Sequence, residues 1–227
     1  DINEKLAPNG TAGNDKLTGF SGIESIDGGG GVDRVDYSLL KNNVSFSLNA
    51  DDQIVIQGST DQSDTLTSVE RIHFADTVYA LDTEGNAGIA AKAIIVTFGS
   101  DGLSAYMSAA LSVVDSGTSL EALCDLVVEL KLIDDLVGSS SNAGFVGQVF
   151  NNVVGRNPNL LESKLYTSYL DNGTYTKSSL LALAANTTLT ENLVTANSVD
   201  LIGVPGSADG EMLALQYDSW HRFFYMP

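Results

Sequence analysis

Cysteine is nearly absent. Cys124 stands alone in 227 residues, so no disulfide can form within the chain and its stability must come from packing or bound ions. Histidine is scarce too; with only His73 and His221, a histidine-rich zinc or haem centre is not expected. Basic residues are few, 11 Lys+Arg against 29 Asp+Glu, giving a net charge of −18 and a pI near 4.1. That deficit argues against nucleic acid, whose phosphates demand basic surface, and against an anionic membrane. No apolar run is long enough to cross a bilayer, so no membrane span is expected. No secretory signal opens the chain at Asp1, which is read as part of a longer precursor.

Catalytic signatures are missing as well: there is no nucleophile elbow, zincin motif, Walker loop or dinucleotide fingerprint. Gly28 to Gly31 lack the lysine and following helix pattern of a phosphate loop. The adjacent acids Asp51-Asp52 and Asp134-Asp135 read as solvated pairs, and no Ser, His and Asp stand in a triad-like context. The chain is therefore read as no enzyme.

What is present begins at Gly10. Three contiguous nine-residue frames run Gly10-Thr11-Ala12-Gly13-Asn14-Asp15-Lys16-Leu17-Thr18, Gly19-Phe20-Ser21-Gly22-Ile23-Glu24-Ser25-Ile26-Asp27 and Gly28-Gly29-Gly30-Gly31-Val32-Asp33-Arg34-Val35-Asp36. Each has glycine at positions one and four, an acid at six and an aliphatic residue at eight. Glycine lets the backbone turn where a side chain would clash and leaves carbonyls free to point at an ion. The carboxylate adds a hard oxygen, and oxygen-only sites suit calcium. The aliphatic residue is expected on a short strand, facing inward. A flexible glycine-rich linker would have no reason to hold acids and aliphatics at fixed offsets.

These frames resemble the calcium-binding nonapeptide of the RTX (hemolysin-type) proteins. The resemblance implies a parallel β-roll in which one nonapeptide makes half a coil. Frames one and three would then stack on one side and frame two would stand on the other. The implied metal set is Gly10, Thr11, Ala12, Gly13 and Asp15 with Gly28, Gly29, Gly30, Gly31 and Asp33, around Ca2+ as cofactor. The neighbours expected for frame two, Asp1 to Asn9 and Tyr37 to Ser45, carry Leu6 and Asn42 at position six. One well-formed site between Asp15 and Asp33 is therefore expected, and a poor one at best near Glu24.

From Asp36 to Asp82 the pattern is that of strands. Val44, Phe46 and Leu48 alternate with Ser45, Ser47 and Asn49, and Ile54 to Ile56 form a short apolar run before the polar loop Ser59 to Asp64. The stretch Asp64-Thr65-Leu66-Thr67-Ser68-Val69-Glu70-Arg71-Ile72-His73-Phe74-Ala75-Asp76 resembles the D-T-L-x-N-V-E-x-(I/L)-x-F-x-D segment that often ends RTX-like rolls. Ser68 stands where asparagine is usual. These strands are expected to continue and cap the roll, protecting its edge, with His73 in a structural role.

Beyond Asn86 the pattern is helical and repeats at an interval of 56. Asn86-Ala87-Gly88 recurs as Asn142-Ala143-Gly144, and Gly99, Asp115, Gly117 and Thr118 match Gly155, Asp171, Gly173 and Thr174. Asn86/Asn142, Asp101/Asn157 and Thr118/Thr174 read as N-caps, Pro158 as a first helical residue, and Thr118-Ser119-Leu120-Glu121 as a capping box. Each unit predicts three helices, beginning near 86, 101 and 118 and near 142, 158 and 174. Phe145, Val149, Phe150, Val153 and Val154 form one apolar stripe, and Leu120, Leu123, Val127 and Leu130 another. Cys124 reads as a buried filler. The stretch Val146 to Pro158 resembles the V-x-x-x-Y-x-x-V-L-G-R-x-P pattern of an uncharacterised helical domain, distantly phycobilisome-linker-like, that follows RTX-like repeats in exported cargo.

The expected fold class is α+β: a short N-terminal parallel β-roll with capping strands (1–82), then an all-α domain of two three-helix repeats (83–201, repeats 86–141 and 142–200) and a tail (202–227). The tail ends Trp220-His221-Arg222-Phe223-Phe224-Tyr225-Met226-Pro227. It reads either as a segment packed on the helical domain or as an export signal or contact surface. The resemblance implies extracellular or cell-surface localisation after type I secretion. The expected function is a calcium-binding, non-catalytic structural or interaction module, as in a surface layer, adhesin or matrix. Its expected partners are calcium, protein or polysaccharide at the surface, or a second copy of itself. The alternative is the non-catalytic C-terminal export or stability region of a secreted protease or polysaccharide-active enzyme.

Overall fold

The structure, a computed structural model, describes residues 9–19, 22–51, 53–59 and 61–197, together with the backbone of Ile202–Val204. Among the described residues eight strands precede the α-helices and one short strand follows them, in two compact units whose main division falls between Leu81 and Asp82.

In the β unit each nine-residue frame gives one short strand: β1 (Lys16–Thr18), β2 (Ile23–Asp27) and β3 (Arg34–Asp36). β1 pairs in parallel with β3, placing Leu17 opposite Val35, while β2 lies in a different sheet. The residues at position eight, Leu17, Ile26 and Val35, are all buried. Side chains alternate across a strand, so an inward aliphatic leaves its neighbours facing out. The hairpin β4 (Ser45–Leu48) and β5 (Ile54–Gln57) follows. Then β6 (Ser63–Thr67) pairs in parallel with β2, β7 (Arg71–His73) in parallel with β3, and β8 (Val78–Ala80) antiparallel to β7. The sheet orders are β1-β3-β7-β8-β9, where β9 is Ile202–Val204, and β2-β6-β5-β4. Both are mixed. Tyr37, Phe46, Phe74 and Tyr79 pack ring to ring between 5.3 and 6.0 Å, an aromatic core beside the aliphatic one. Leu48, expected to face inward, is 64% exposed because β4 is the outermost strand of its sheet. The loop expected to run to Asp64 ends earlier, at the start of β6.

The helical unit comprises α1 (Asn86–Phe98), α2 (Leu103–Asp115), α3 (Leu120–Glu129), α4 (Leu132–Val137), α5 (Asn142–Val154), α6 (Leu160–Asp171), α7 (Lys177–Ala185) and α8 (Thr188–Asn197). Each 56-residue stretch therefore holds four α-helices rather than the three expected. The third helix expected from near 118 ends where Lys131 takes the left-handed conformation (φ 57°), and a separate fourth helix follows. The first helices begin 56 residues apart, at Asn86 and Asn142, and so do the fourth, at Leu132 and Thr188.

The caps sit one or two positions from those expected. The N-caps that accept main-chain N–H bonds are Ser119, Ser141, Asn159 and Thr176, the last two in capping boxes with Glu162 and Ser179. Pro158 precedes the cap Asn159 instead of opening the helix. Neighbouring polar residues are all competent caps, so the burial of the apolar face decides among them. Asn86 and Asn142 are first helical residues and bond across their units instead. The amide of Asn86 donates to Asp115 Oδ1 (2.9 Å), and that of Asn142 to Asp171 Oδ1 (2.8 Å).

α1 is the centre of this unit, packed against α2, α3, α5, α7 and α8. Its Ala87, Ala90, Ala91 and Ala93 are buried alongside Ile94, Ile95 and Val96, and small residues let several helices approach one backbone. Phe145, Val149 and Val153 are buried as the stripe predicts, whereas Val154 is 37% exposed. Cys124 has no exposed surface, and burial, with Glu121 and Asp125 nearby, pushes its thiol up to about 12. Asp134, read as solvated, forms an ion pair with Lys177 (2.8 Å). Asp52 and residues 205–227, including the aromatic tail, lie outside the described residues.

Candidate metal centre

The turns of frames one and three stack residue on residue. A Cβ added to Gly10 would lie 1.8 Å from Gly28 O, one on Gly29 would lie 2.1 Å from Thr11 O, and one on Gly31 would lie 2.8 Å from Gly13 C. The Gly30 N–H donates to Thr11 O (2.8 Å), and Ala12 lies under Gly30. Main-chain bonds Gly10 N–H to Asp27 O (2.7 Å) and Gly28 N–H to Thr67 O (2.9 Å) hold the coils together. All ten residues of the expected metal set are thereby brought to one edge of the β unit. Glycine is required at positions 10 and 28 by this close approach, not by turn flexibility alone.

The acids at position six form a ladder. The Asp15 N–H donates to Asp33 Oδ1 (2.8 Å), and the Asp33 N–H donates to Glu70 Oε2 (2.8 Å). Glu70, which the frame analysis did not include, thus takes the same place one coil further on. Asp15 Oδ2 accepts from the Thr11 N–H (2.6 Å) and the Thr11 hydroxyl (2.9 Å). Asp33 is fully buried, and its Oδ2 has no hydrogen-bond donor. A buried carboxylate oxygen without a donor carries a desolvation cost that a bound cation would offset. The donors here are hard oxygens on two carboxylates and a glycine-rich main chain, the chemistry that calcium prefers. Among the described residues no three His, Cys, Asp or Glu side chains converge to hold a metal, so main-chain carbonyls would have to complete the shell. Thr11 O is already engaged by Gly30.

Frame two departs from expectation. Its partner is neither flanking segment but β6, which returns after the inserted hairpin and sets Glu24 opposite Asp64. An acidic neighbour therefore exists, and Asp64 is fully buried. This edge is closed differently. Tyr37 stands where a fourth frame would begin with glycine; its ring covers Gly19 beside the buried Asp64 carboxylate. Burial first, then the charge of Asp64, push the phenol far above its ordinary value of 10.0. A phenol held neutral favours the folded state below pH 10 and withdraws that support as the pH rises further. Tyr37→Phe removes the titrating phenol, so the variant should lose less stability than the parent as the pH rises above about 10. Urea denaturation from pH 7 to 11 should show the parent falling relative to the variant at the alkaline end.

One signal could have revealed Glu70 and Asp64 beforehand. Acid-x-aliphatic occurs at Asp15/Leu17, Glu24/Ile26 and Asp33/Val35, and again at Asp64/Leu66 and Glu70/Ile72. All five aliphatic residues are buried. The other stacked positions balance charge: Asp36 pairs with Arg34 (2.7 Å) and Lys16 (3.1 Å). His73 is half-buried in β7; burial and then the Arg34 charge hold it below its usual value, so it stays neutral more readily. Ser68 adopts a left-handed backbone (φ 49°), a conformation asparagine tolerates better. Compared with protein-family models and with curated proteins, the chain matches none.

Proposed function

We propose that this chain is a secreted, calcium-binding, non-catalytic module of a cell surface or extracellular matrix, and that its β unit is a short RTX-like roll stabilised by calcium. The observation that carries this reading is buried Asp33, whose Oδ2 lacks a donor within the stacked glycine turns. Asp15, Asp33 and the main chain of the two turns would hold the ion. A cation-dependent fold also suits export of an unfolded chain from low cytosolic calcium, with folding outside. We read the helical unit as a duplicated, linker-like domain offering the contact surface for protein, polysaccharide or a second copy. The Asn152 amide donates to Val96 O (3.0 Å), two positions one repeat interval apart, as expected where two copies meet about an internal axis.

Calorimetry in calcium and in chelator tests the proposal, with Cys124 as an internal reporter. With affinity of about 10⁻⁴–10⁻³ M, roughly 10 mM calcium should stabilise the β unit by about 1.4–2.7 kcal/mol. The helical transition should not move, and Cys124 should resist alkylation in both conditions. A chain that melts identically with calcium and with chelator would remove calcium from its folding.

A further inference from the structure

The helical unit contains the same apolar depression twice, filled once and open once. Ala93, Ile94, Thr97, Phe98, Ala110 and Val127 line a cavity of about 30 Å³. Their counterparts 56 residues on, Val149, Phe150, Val153, Val154, Tyr166 and Leu183, line one of about 180 Å³. Two positions account for the difference. In the first half Tyr106 of α2 lies flat on Phe98, ring centroids 4.1 Å apart. The counterparts of these two rings are Glu162 and Val154.

Glu162 cannot replace the ring because its carboxylate is committed elsewhere. It accepts two 2.8 Å bonds from Arg156 and one from the Asn159 N–H (2.7 Å), closing the turn before α6. The consequence is visible along α6, which buries no residue, whereas its counterpart α2 buries Leu103, Met107, Ala110, Leu111 and Val114. On the groove rim Leu183 and Leu189 are 47% and 51% exposed. The second groove has rings of its own, Phe150 and Tyr166, but lacks the apolar volume that would close it.

The same chain carries that volume. We propose that the groove between α5, α6, α7 and α8 takes the chain's own C-terminal aromatic segment, Trp220 to Tyr225. This segment supplies one Trp, two Phe and one Tyr within six residues, to a groove lined mostly by aliphatic side chains with Phe150 and Tyr166. Reach is not limiting. Leu189 places the groove within one helix length of Asn197, about 15 Å, while the residues between Asn197 and Trp220 can span roughly 70 Å when extended. Tethering raises the effective concentration of the segment to the order of millimolar, enough for a modest intrinsic affinity to fill the site. Ser219 to Pro227 contains Arg222 and no acid, so nothing in it repels an acidic helical unit. The inference rests on the helical unit alone and stands apart from the calcium reading.

Trp220 is the only tryptophan, so its fluorescence in the full chain reports the segment directly. The expected result is blue-shifted emission shielded from acrylamide. Leu183→Glu and Leu189→Glu, each at the rim, should shift that emission to the red and remove the shielding, with helical circular dichroism unchanged. Leu136→Glu, equally exposed at 52% but on α4 outside the groove, should leave it alone. Solvent-exposed Trp220 in the parent chain, or rim variants without effect, would overturn the proposal. So would shielding that disappears on dilution, because the groove would then be filled by the segment of a second copy.

Discussion

Asp33→Asn should raise the stability of the β unit in chelator and abolish the further gain that calcium gives the parent. Both effects follow from one buried oxygen. Without a cation, Asp33 keeps a carboxylate away from water with Oδ2 undonated, and replacing the charge by a neutral amide relieves about 1–3 kcal/mol. With calcium bound, the same change removes charge and an inner ligand, so the ligand-linked gain of roughly 1.4–2.7 kcal/mol is lost. Asp15→Asn should weaken calcium binding as well but gain little in chelator. Asp15 is half-exposed and already satisfied by Thr11. Glu24→Gln should leave calcium binding intact and slightly stabilise the fold, since it faces Asp64 across β2 and β6 and the two like charges repel. Denaturation of the three variants at fixed ionic strength, with calcium and with chelator, checks all of this. If calcium stabilises Asp33→Asn as much as it stabilises the parent, the buried carboxylate is not a cation ligand.

The glycines of the frames should differ sharply in their tolerance of a methyl group. Gly28→Ala places a Cβ 1.9 Å from Ser68 O, a main-chain atom held by the Gly28–Thr67 bond, so the coils must separate. Gly10→Ala does the same against Gly28 O at 1.8 Å. Each should cost about 3 kcal/mol, the upper end of overpacking, because the obstacle is backbone and cannot rotate away. Gly13→Ala meets nothing nearer than the Thr11 hydroxyl at 3.9 Å and should change stability by less than about 0.5 kcal/mol. Urea midpoints of the three variants in chelator separate packing from ion binding. Equal losses at 13 and 28 would mean that the coils do not stack at these positions.

The candidate site was more legible than the fold around it. Frames of fixed length place position eight inward and position six at the turn by local geometry alone, and Leu17, Val35, Asp15 and Asp33 follow. The partner of frame two was not legible, because strand pairing is non-local and the hairpin of β4 and β5 interrupts the register. Only the acid-x-aliphatic pattern survives that interruption, and it places Asp64 and Glu70 beside residues 40 and 37 positions earlier. In the helical unit the interval of 56 was readable from single residues. The fourth helix of each stretch was not, since the break at Lys131 is a backbone state that its residue type does not announce.

By itself the sequence determined the order of strand and helix regions, the inward aliphatics and the paired helical intervals, while the pairing of frames one and three was implied by the RTX resemblance. The first three follow from periodicity and composition, which act over a few residues. Tertiary structure decided what meets what. It brought Glu70 into the acid ladder, closed the edge at frame two with Tyr37, and left the groove beside α6 open where its counterpart is filled. Each outcome depends on side chains from distant segments competing for one space, and a one-dimensional pattern does not encode which of them occupies it.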